Sequence, residues 1–310
     1  MRILIVGAGA IGGFIGARML EDGLDVTLLV REGRMAQLRK HGLAVRSPKG
    51  DYRGHPALLS AGEDGGPFDL ILIACKAYGL ADVLKQIKPF MHADTALLPF
   101  LNGFKHMRDI AGAYPDHPLL GGVARIETTL DAEGTIVHLR PYHSFVYGKF
   151  DRVPDELYER LKSTLSATRV LAESPDIRRS LWEKYSFISG LSGLTTLFQA
   201  PVGDIVGVPG GIEWFRRLFA EITGIIAAAG GSLPDDVIER NVATIESMSA
   251  GSTSSMLRDL ESGLPTEGEH LHGYLLELAR ECGVSAPLLE VVYQRLAVYD
   301  RRRLTSPAEA

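Results

Sequence analysis

The sequence predicts an α/β fold: an amino-terminal domain on a doubly wound, mainly parallel sheet, followed by an all-helical carboxyl-terminal domain. Three observations carry that prediction. Arg2-Ile3-Leu4-Ile5-Val6 is a short apolar run closed by glycine, the pattern of a strand buried on both faces. Similar runs alternate with helix-length segments as far as Leu119. From Ser174 onward strand signals stop and long amphipathic helical patterns take over, so the domains are expected at 1–174 and 175–310.

The elements follow in order. A helix is expected from Ala10 to Glu21, ended at Asp22-Gly23 by a left-handed glycine. Val26 to Val30 is the second strand, with weaker strands at Leu43 to Val45 and Ala57 to Leu59 and a turn at Pro48-Lys49-Gly50. Asp69 to Ala74 is another buried strand, Ala77 to Gln86 a helix, and Ala96 to Leu101 the next strand. Past Leu119, the runs Gly121 to Thr128, Gly134 to His138 and Ser144 to Gly148 read as three antiparallel strands. Pro154 to Ala167 is then a helix and Val170 to Glu173 a closing strand. In the second domain Leu218 to Ala228 reads as a buried helix ended by Gly230-Gly231, and the polar tail from Arg301 to Ala310 is expected to fray.

Composition narrows the class of protein. With 45% hydrophobic and 23% charged residues, the 310-residue chain is ordinary for a soluble globular protein. A net charge of -5 gives no electrostatic reason to expect nucleic acid. Cys75 and Cys282 are too few for a disulfide framework; each reads as a small buried hydrophobe in a reducing cytosol. The uncharged stretches Ile3 to Ala17 and Tyr185 to Gly203 are too rich in glycine or in hydroxyl groups for a secretory signal or a membrane span. His138, His143, His270 and His272 lack companion ligands at metal-site spacing and read as structural or exposed. Trp182 and Trp214 read as core anchors, and Arg301-Arg302-Arg303 as a solvated helix end.

Chemistry enters at Gly7-Ala8-Gly9-Ala10-Ile11-Gly12, which follows the first strand and opens the first helix. In that context the glycines suit a dinucleotide turn of the Rossmann type. Gly7 permits the tight turn, Gly9 admits the pyrophosphate, and Gly12 lets helix and strand pack closely. The helix amino terminus adds unpaired N–H groups and partial positive charge. An NAD-preferring site places a carboxylate at the end of the second strand, whereas here Arg31 stands there, with Arg34 one turn later. A guanidinium can bind a 2′-phosphate through paired charged hydrogen bonds, so NADP(H) is the expected cofactor; Glu32 can point to solvent. Two loops at later strand ends, Ala74 to Tyr78 and Leu101 to Phe104, are expected to close over it. Lys76 reads either as a cofactor-facing ammonium or as a solvated lysine, and Asn102-Gly103 either as part of the site or as an ordinary turn.

Taken together, GAGAIG, Arg31, CKAYG, LNG, LWEK, SSML and TEGEHLHG resemble the ketopantoate reductase (2-dehydropantoate 2-reductase) family, in order and spacing, from Met1 to about Tyr299. The resemblance implies stereospecific, NADPH-dependent reduction of a 2-oxo acid to a 2-hydroxy acid, on the route to pantothenate, with substrate held between the two domains. It places the catalytic lysine at Lys184 and its acidic partner at Glu267. It also puts the cofactor- and substrate-facing asparagine at Asn102, the cofactor-adjacent lysine at Lys76 and a substrate-binding serine at Ser255. An ammonium near a ketone oxygen both stabilises the oxyanion left by hydride arrival and can protonate it. Free lysine keeps its proton to about pH 10.4, which suits the acid role. The chain departs from the family where asparagines follow the lysine by four and eight residues: Ile188 and Ser192 stand there, and only Ser192 can replace an amide in part. A related, more apolar 2-oxo acid is therefore an alternative substrate, and a non-catalytic NADP(H) sensor an alternative role. The small residues Ser186, Ser189, Gly190, Gly193 and Thr196 read as a helix-packing stripe. No membrane or nucleic-acid partner is expected; a homodimer is compatible with the apolar helical faces.

Overall fold

The computed structural model describes residues 1–305; the last residues of the expected frayed tail, 306–310, lie outside the described residues. The chain forms two compact units, one of Met1–Leu101 with His106–Ile177, the other of Asn102–Lys105 with the chain from Arg178 onward. The loop at 102–105, counted with the first domain on sequence, therefore packs with the helical unit.

The first unit is one ten-stranded sheet with helices. Its elements are β1 (Arg2–Val6), α1 (Ala10–Glu21), β2 (Asp25–Leu29), α2 (Glu32–His41), β3 (Leu43–Arg46), β4 (Tyr52–Gly54), β5 (Ala57–Leu59) and β6 (Leu70–Ile73). They continue as α3 (Leu80–Ile87), β7 (Ala96–Pro99), α4 (Lys105–Ala113), β8 (Leu119–Leu130), β9 (Ile136–Asp151), α5 (Asp155–Leu165) and β10 (Leu171–Glu173). The strand order is β4-β3-β9-β8-β7-β6-β1-β2-β5, with β10 beside β9. From β5 across to β8 every pairing is parallel. β1 has β2 on one side and β6 on the other, so the winding reverses at β1, where such sheets open a ligand crevice at the strand carboxyl ends.

Register fixes what meets at that edge. Val6 is level with Leu29 and with Ile73, and Ile73 with Pro99. Gly7, Val30, Ala74 and Phe100 consequently begin their loops side by side. The strands hold this register because Ile3, Leu4, Ile5, Leu28, Leu70, Ile71, Leu72 and Leu98 are fully buried. Each such side chain stabilises the folded state by roughly 1.5–3 kcal/mol, and a one-residue slip would change faces for a whole strand.

The structure departs from the sequence reading at several places. The three expected antiparallel strands are two long ones, β8 and β9, paired antiparallel with irregularities between Leu119/Leu120 and Ile126/Thr128. β4, α2 and α4 were not anticipated. The polar tail is helical as far as Thr305, as the end of α12 below. Trp214 is 41% exposed, its ring edge-on to Phe198, and is no core anchor; Trp182 is buried as expected. Cys282 is exposed and Cys75 half-buried, so neither is the buried hydrophobe expected of it.

The helical unit is α6 (Ile177–Phe198), α7 (Val202–Val206), α8 (Gly211–Ala228), α9 (Val237–Ser247), α10 (Ser255–Glu261), a π turn at Glu269–Gly273, α11 (Tyr274–Cys282) and α12 (Pro287–Thr305). Tyr185, Leu194, Phe215, Phe219, Ile222, Ile226, Leu275, Leu289 and Val292 form its core. The small stripe on α6 does the packing work expected of it: a Cβ on Gly190 would lie 2.2 Å from the Phe219 ring. No helix among the described residues is long and apolar enough to cross a membrane.

His272, fully buried, joins the π turn to α6 through a 2.9 Å hydrogen bond from Nε2 to the Ser189 carbonyl, and its Nδ1 has no hydrogen-bond partner. Burial lowers its pKa from 6.5 to about 4. The unfolded chain thus takes up a proton that the folded chain resists. Stability from this residue is complete above pH 6.5 and falls as pH drops toward about 4. The loss over that window is roughly 3 kcal/mol. In urea unfolding series, His272→Gln is expected to show a shallower loss of stability on acidification than the native chain; equal slopes would remove His272 as the cause.

Candidate active site

The nucleotide side belongs to the first unit. Gly7 has φ +96°, a conformation L side chains rarely adopt, and a Cβ there would meet the Ala74 carbonyl oxygen at 2.9 Å. A Cβ on Gly12 would sit 2.1 Å from the Gly7 oxygen, so this glycine is required by the fold itself. Gly9 differs: it begins α1 in extended conformation and a Cβ there would meet nothing within 4 Å. The fold itself does not require glycine at that point, and the open space beside the α1 amino terminus fits a pyrophosphate. Ala8, Ala10 and Ile11 complete the turn, with Ala8 buried and Ala10 and Ile11 half-buried.

The two arginines at the end of β2 divide their roles. Arg34 Nε donates to the Ala8 carbonyl at 3.0 Å, and its Nη1 to Gln37 at 3.0 Å and the Gly134 carbonyl at 2.9 Å. It braces the glycine turn from behind, and its burial lowers its pKa. Arg31 is exposed at the start of α2, with a guanidinium nitrogen 3.2 Å from where a Gly79 Cβ would stand. Arg31 is therefore the guanidinium open to a phosphate, beside the loop that follows β6. Glu32 is exposed. Lys76, half-buried, immediately precedes the short 3₁₀ turn at Ala77–Gly79 in that loop.

The acid–base side belongs to the helical unit. Lys184 lies in the second turn of α6, half-buried, and its Nζ donates to Asn102 Oδ1 at 2.8 Å. The loop carrying Asn102 is seated on the same unit by Phe104, stacked on Trp182 with ring centroids 3.7 Å apart and planes 8° apart. A charge-assisted hydrogen bond contributes about 1.5–3 kcal/mol. Ordering a lysine side chain costs about 2 kcal/mol. The bond alone barely offsets that cost, so partial burial of the lysine stem is needed to keep the ammonium in place.

Glu267 is buried at 7% exposure just before the π turn, and its carbonyl accepts from Leu271 N–H. Thr266 accepts from the Gly268 N–H at 3.3 Å and donates to Asp300 of α12 at 2.5 Å. Asp300 thereby fixes the approach to Glu267. The π turn is held to α6 from two sides, by the Tyr185 hydroxyl on the Leu271 carbonyl and by His272 on the Ser189 carbonyl. Burial raises the Tyr185 pKa far above the ordinary phenol value.

The two serines expected at the substrate stand in different surroundings. Ser255 is exposed at the start of α10, and the serine with a structural task is its neighbour Ser254, whose hydroxyl accepts from Leu257 N–H at 3.0 Å as the helix cap. Ser192 is buried, and its hydroxyl donates to the Ile188 carbonyl at 2.6 Å, so it is engaged inside its own helix. What sequence reasoning missed is the π turn and His270 within it. The HLH segment had no spacing signal, and only the packing of Gly103 against it exposes the link: a Cβ on Gly103 would stand 2.7 Å from Leu271 Cδ2. His138 packs beside Ser47 and His143 against Phe14, both in the first unit. Among the described residues no cluster of three or more histidine, cysteine or carboxylate side chains is placed to hold a metal.

Two family models match this chain: Ketopantoate reductase PanE/ApbA over residues 3–152 and Ketopantoate reductase PanE/ApbA C terminal over residues 176–300. The chain belongs to the ketopantoate reductase family. It is an oxidoreductase of that family. It is 41% identical over 304 residues to the uncharacterized oxidoreductase YkpB of Bacillus subtilis, a match covering 98% of this chain and 100% of the relative. The crystal structure of 2-dehydropantoate 2-reductase from Methylococcus capsulatus superposes with a TM-score of 0.86 at 29% identity, covering 99% of each chain. D-mandelate dehydrogenase, solved with NADH and anilino(oxo)acetate, shares the fold at 19% identity and a TM-score of 0.87, covering 98% of this chain and 100% of that one.

The two glycines separate ligand from fold. Gly9→Ala is expected to change stability by less than about 0.5 kcal/mol while weakening NADPH binding at least tenfold, on the order of 1.4 kcal/mol. Gly12→Ala is expected to destabilise the fold by about 1–3 kcal/mol. Thermal unfolding and cofactor titration of both variants check this; unchanged NADPH affinity in Gly9→Ala would contradict the cradle.

Proposed function

We propose that the protein reduces a 2-oxo acid to the 2-hydroxy acid with NADPH, and that 2-dehydropantoate is its substrate on the route to pantothenate in the cytoplasm. The observation that supports this best is the Lys184 ammonium steadied by Asn102 on a buried helix. Bound NADPH supplies the hydride to the ketone carbon. Lys184 donates a hydrogen bond to the ketone oxygen, stabilises the charge that develops there, and gives up a proton to form the hydroxyl. Its proton is then restored from solvent, so the net reaction consumes one NADPH and one proton for each 2-hydroxy acid formed. Asn102 holds the ammonium and faces cofactor and substrate. Glu267, buried just before the π turn, holds that ammonium in place. Arg31 takes the 2′-phosphate and Lys76 lies along the cofactor, while the Gly7–Gly12 turn carries the pyrophosphate. Ser255 and Ser192 remain the proposed substrate hydroxyls, and a homodimer the proposed assembly.

A second reading keeps the chemistry and changes the acid. Ile188, one turn beyond Lys184, offers no polar atom, and Ser192 spends its hydroxyl on the Ile188 carbonyl. A face so built favours a 2-oxo acid whose side chain is apolar.

A panel of 2-oxo acids assayed with NADPH and NADH decides between these readings: turnover of 2-dehydropantoate over apolar analogues supports the first, the reverse order the second, and NADPH oxidation without any 2-oxo acid contradicts both. Lys184→Ala is expected to lower kcat by about a hundredfold or more while NADPH still binds; retained turnover would contradict Lys184 as the acid. Arg31→Asp is expected to weaken NADPH binding roughly ten- to hundredfold and NADH binding little. Equal weakening of both cofactors would contradict the phosphate assignment.

A further inference from the structure

The π turn brings His270 onto the loop that carries Asn102. His270 is buried at 8% exposure, and its Nε2 lies 3.0 Å from the Asn102 carbonyl oxygen. A carbonyl only accepts, so the ring carries its proton on Nε2 and donates. The same peptide leads into Gly103, whose φ of +87° and close approach to Leu271 and to the His270 ring admit no side chain. A peptide next to a left-handed glycine can turn its plane against little steric opposition. A buried donor fixed on its carbonyl removes that freedom. The side chain of Asn102 leaves from the residue so fixed, and it is this side chain that receives the Lys184 ammonium at 2.8 Å.

We propose that His270 is a positioning residue: its Nε2–H on the Asn102 carbonyl latches the 102–105 loop to the Glu267-bearing segment and so sets where Asn102 holds Lys184. The role rests on the reductase reading for its kinetic consequence, but not for the latch itself. One hydrogen bond thereby joins the segments that carry Asn102 and Glu267, and Asn102 in turn receives Lys184. The π turn accounts for the fit, since its wider turn inserts a residue into the helix start and is a common device at functional sites.

The test compares His270→Phe, His270→Asn and His270→Gln, each alone and with Asn102→Ala, in the full-length protein. His270→Gln places an N–H at the position of Nε2, whereas His270→Asn is a methylene too short to reach the carbonyl. With NADPH and the preferred 2-oxo acid saturating, His270→Phe and His270→Asn should lose about tenfold to a hundredfold in kcat, with NADPH affinity within about twofold of the native chain. His270→Gln should recover most of that loss, and in the Asn102→Ala background the His270 changes should cost less than about twofold more. Should the phenylalanine variant fail to fold, the asparagine and glutamine pair makes the same comparison. Amide exchange at Gly103, Phe104 and Lys105, measured without ligand, should quicken in the asparagine variant while α6 keeps its protection. Native kcat in His270→Asn, an equal loss in both backgrounds, or unchanged exchange in the loop would overturn the proposal. If the native protein reduces no 2-oxo acid, the reductase reading fails, and the exchange measurement alone still decides the latch.

Discussion

The hydrogen bond from Lys184 to Asn102 is the constraint around which the helical unit is arranged. A lysine on a helix is ordinarily a mobile, hydrated charge, and reduction of a ketone needs one held still where the oxyanion forms. Everything that fixes the bond lies within this unit. Trp182, two residues before the lysine, carries the Phe104 stack that seats the loop. Tyr185, one residue after it, anchors the π turn through the Leu271 carbonyl. The stripe of small residues farther along α6 lets α8 press close, so the helix that bears the ammonium has little room to shift. A single helix thus carries the lysine proposed as proton donor and, at the residues flanking it, both of the contacts that locate its partners.

The sheet solves a different problem with different means. Binding a dinucleotide requires backbone, not side chains, to approach the phosphates, so the unit depends on strand register and on three glycines with separate tasks. Gly7 allows the turn, Gly12 allows the packing, and Gly9 keeps open a space that the fold does not fill. Arg34 holds that turn from behind through the Ala8 carbonyl, which leaves Arg31 as the exposed charge. Two arginines one helical turn apart are indistinguishable by spacing, and only their surroundings show that Arg34 supports the turn while Arg31 stands exposed.

What the residues alone disclosed follows from how local each signal is. α1 runs from Ala10 to Glu21 as expected, because an apolar strand, a glycine turn and a terminal Asp-Gly are all contained within one short segment. β1 and the core of β6 were equally plain, since burial on both faces leaves an unbroken apolar run. The long pair β8 and β9 was read as three pieces because Arg140-Pro141-Tyr142 interrupts the apolar pattern, while the pairing with β8 that carries the strand through lies far off in sequence. The helix positions of Trp214 and Cys282 gave no sign of exposure, which depends on what packs opposite. At the site, LWEK and TEGEHLHG were informative through resemblance, not through spacing: neither Lys184 nor Glu267 carries a local signature. The cap of α10 at Ser254 carried no signal of its own, because two adjacent serines are equivalent until the backbone decides which enters the helix. The π turn was invisible for the same reason, being a product of packing by Tyr185, His272 and Gly103.

The proposed reaction depends on where the reacting ketone meets the protein. The most direct measurement is a crystal structure with NADP⁺ and an unreactive 2-oxo acid analogue bound together. The analogue's 2-oxo oxygen should lie about 3 Å from Lys184 Nζ, with Asn102 still receiving the same ammonium. A ketone oxygen held by other donors, with the Lys184 ammonium turned away from it, would contradict the mechanism and leave the nucleotide fold without its proposed acid.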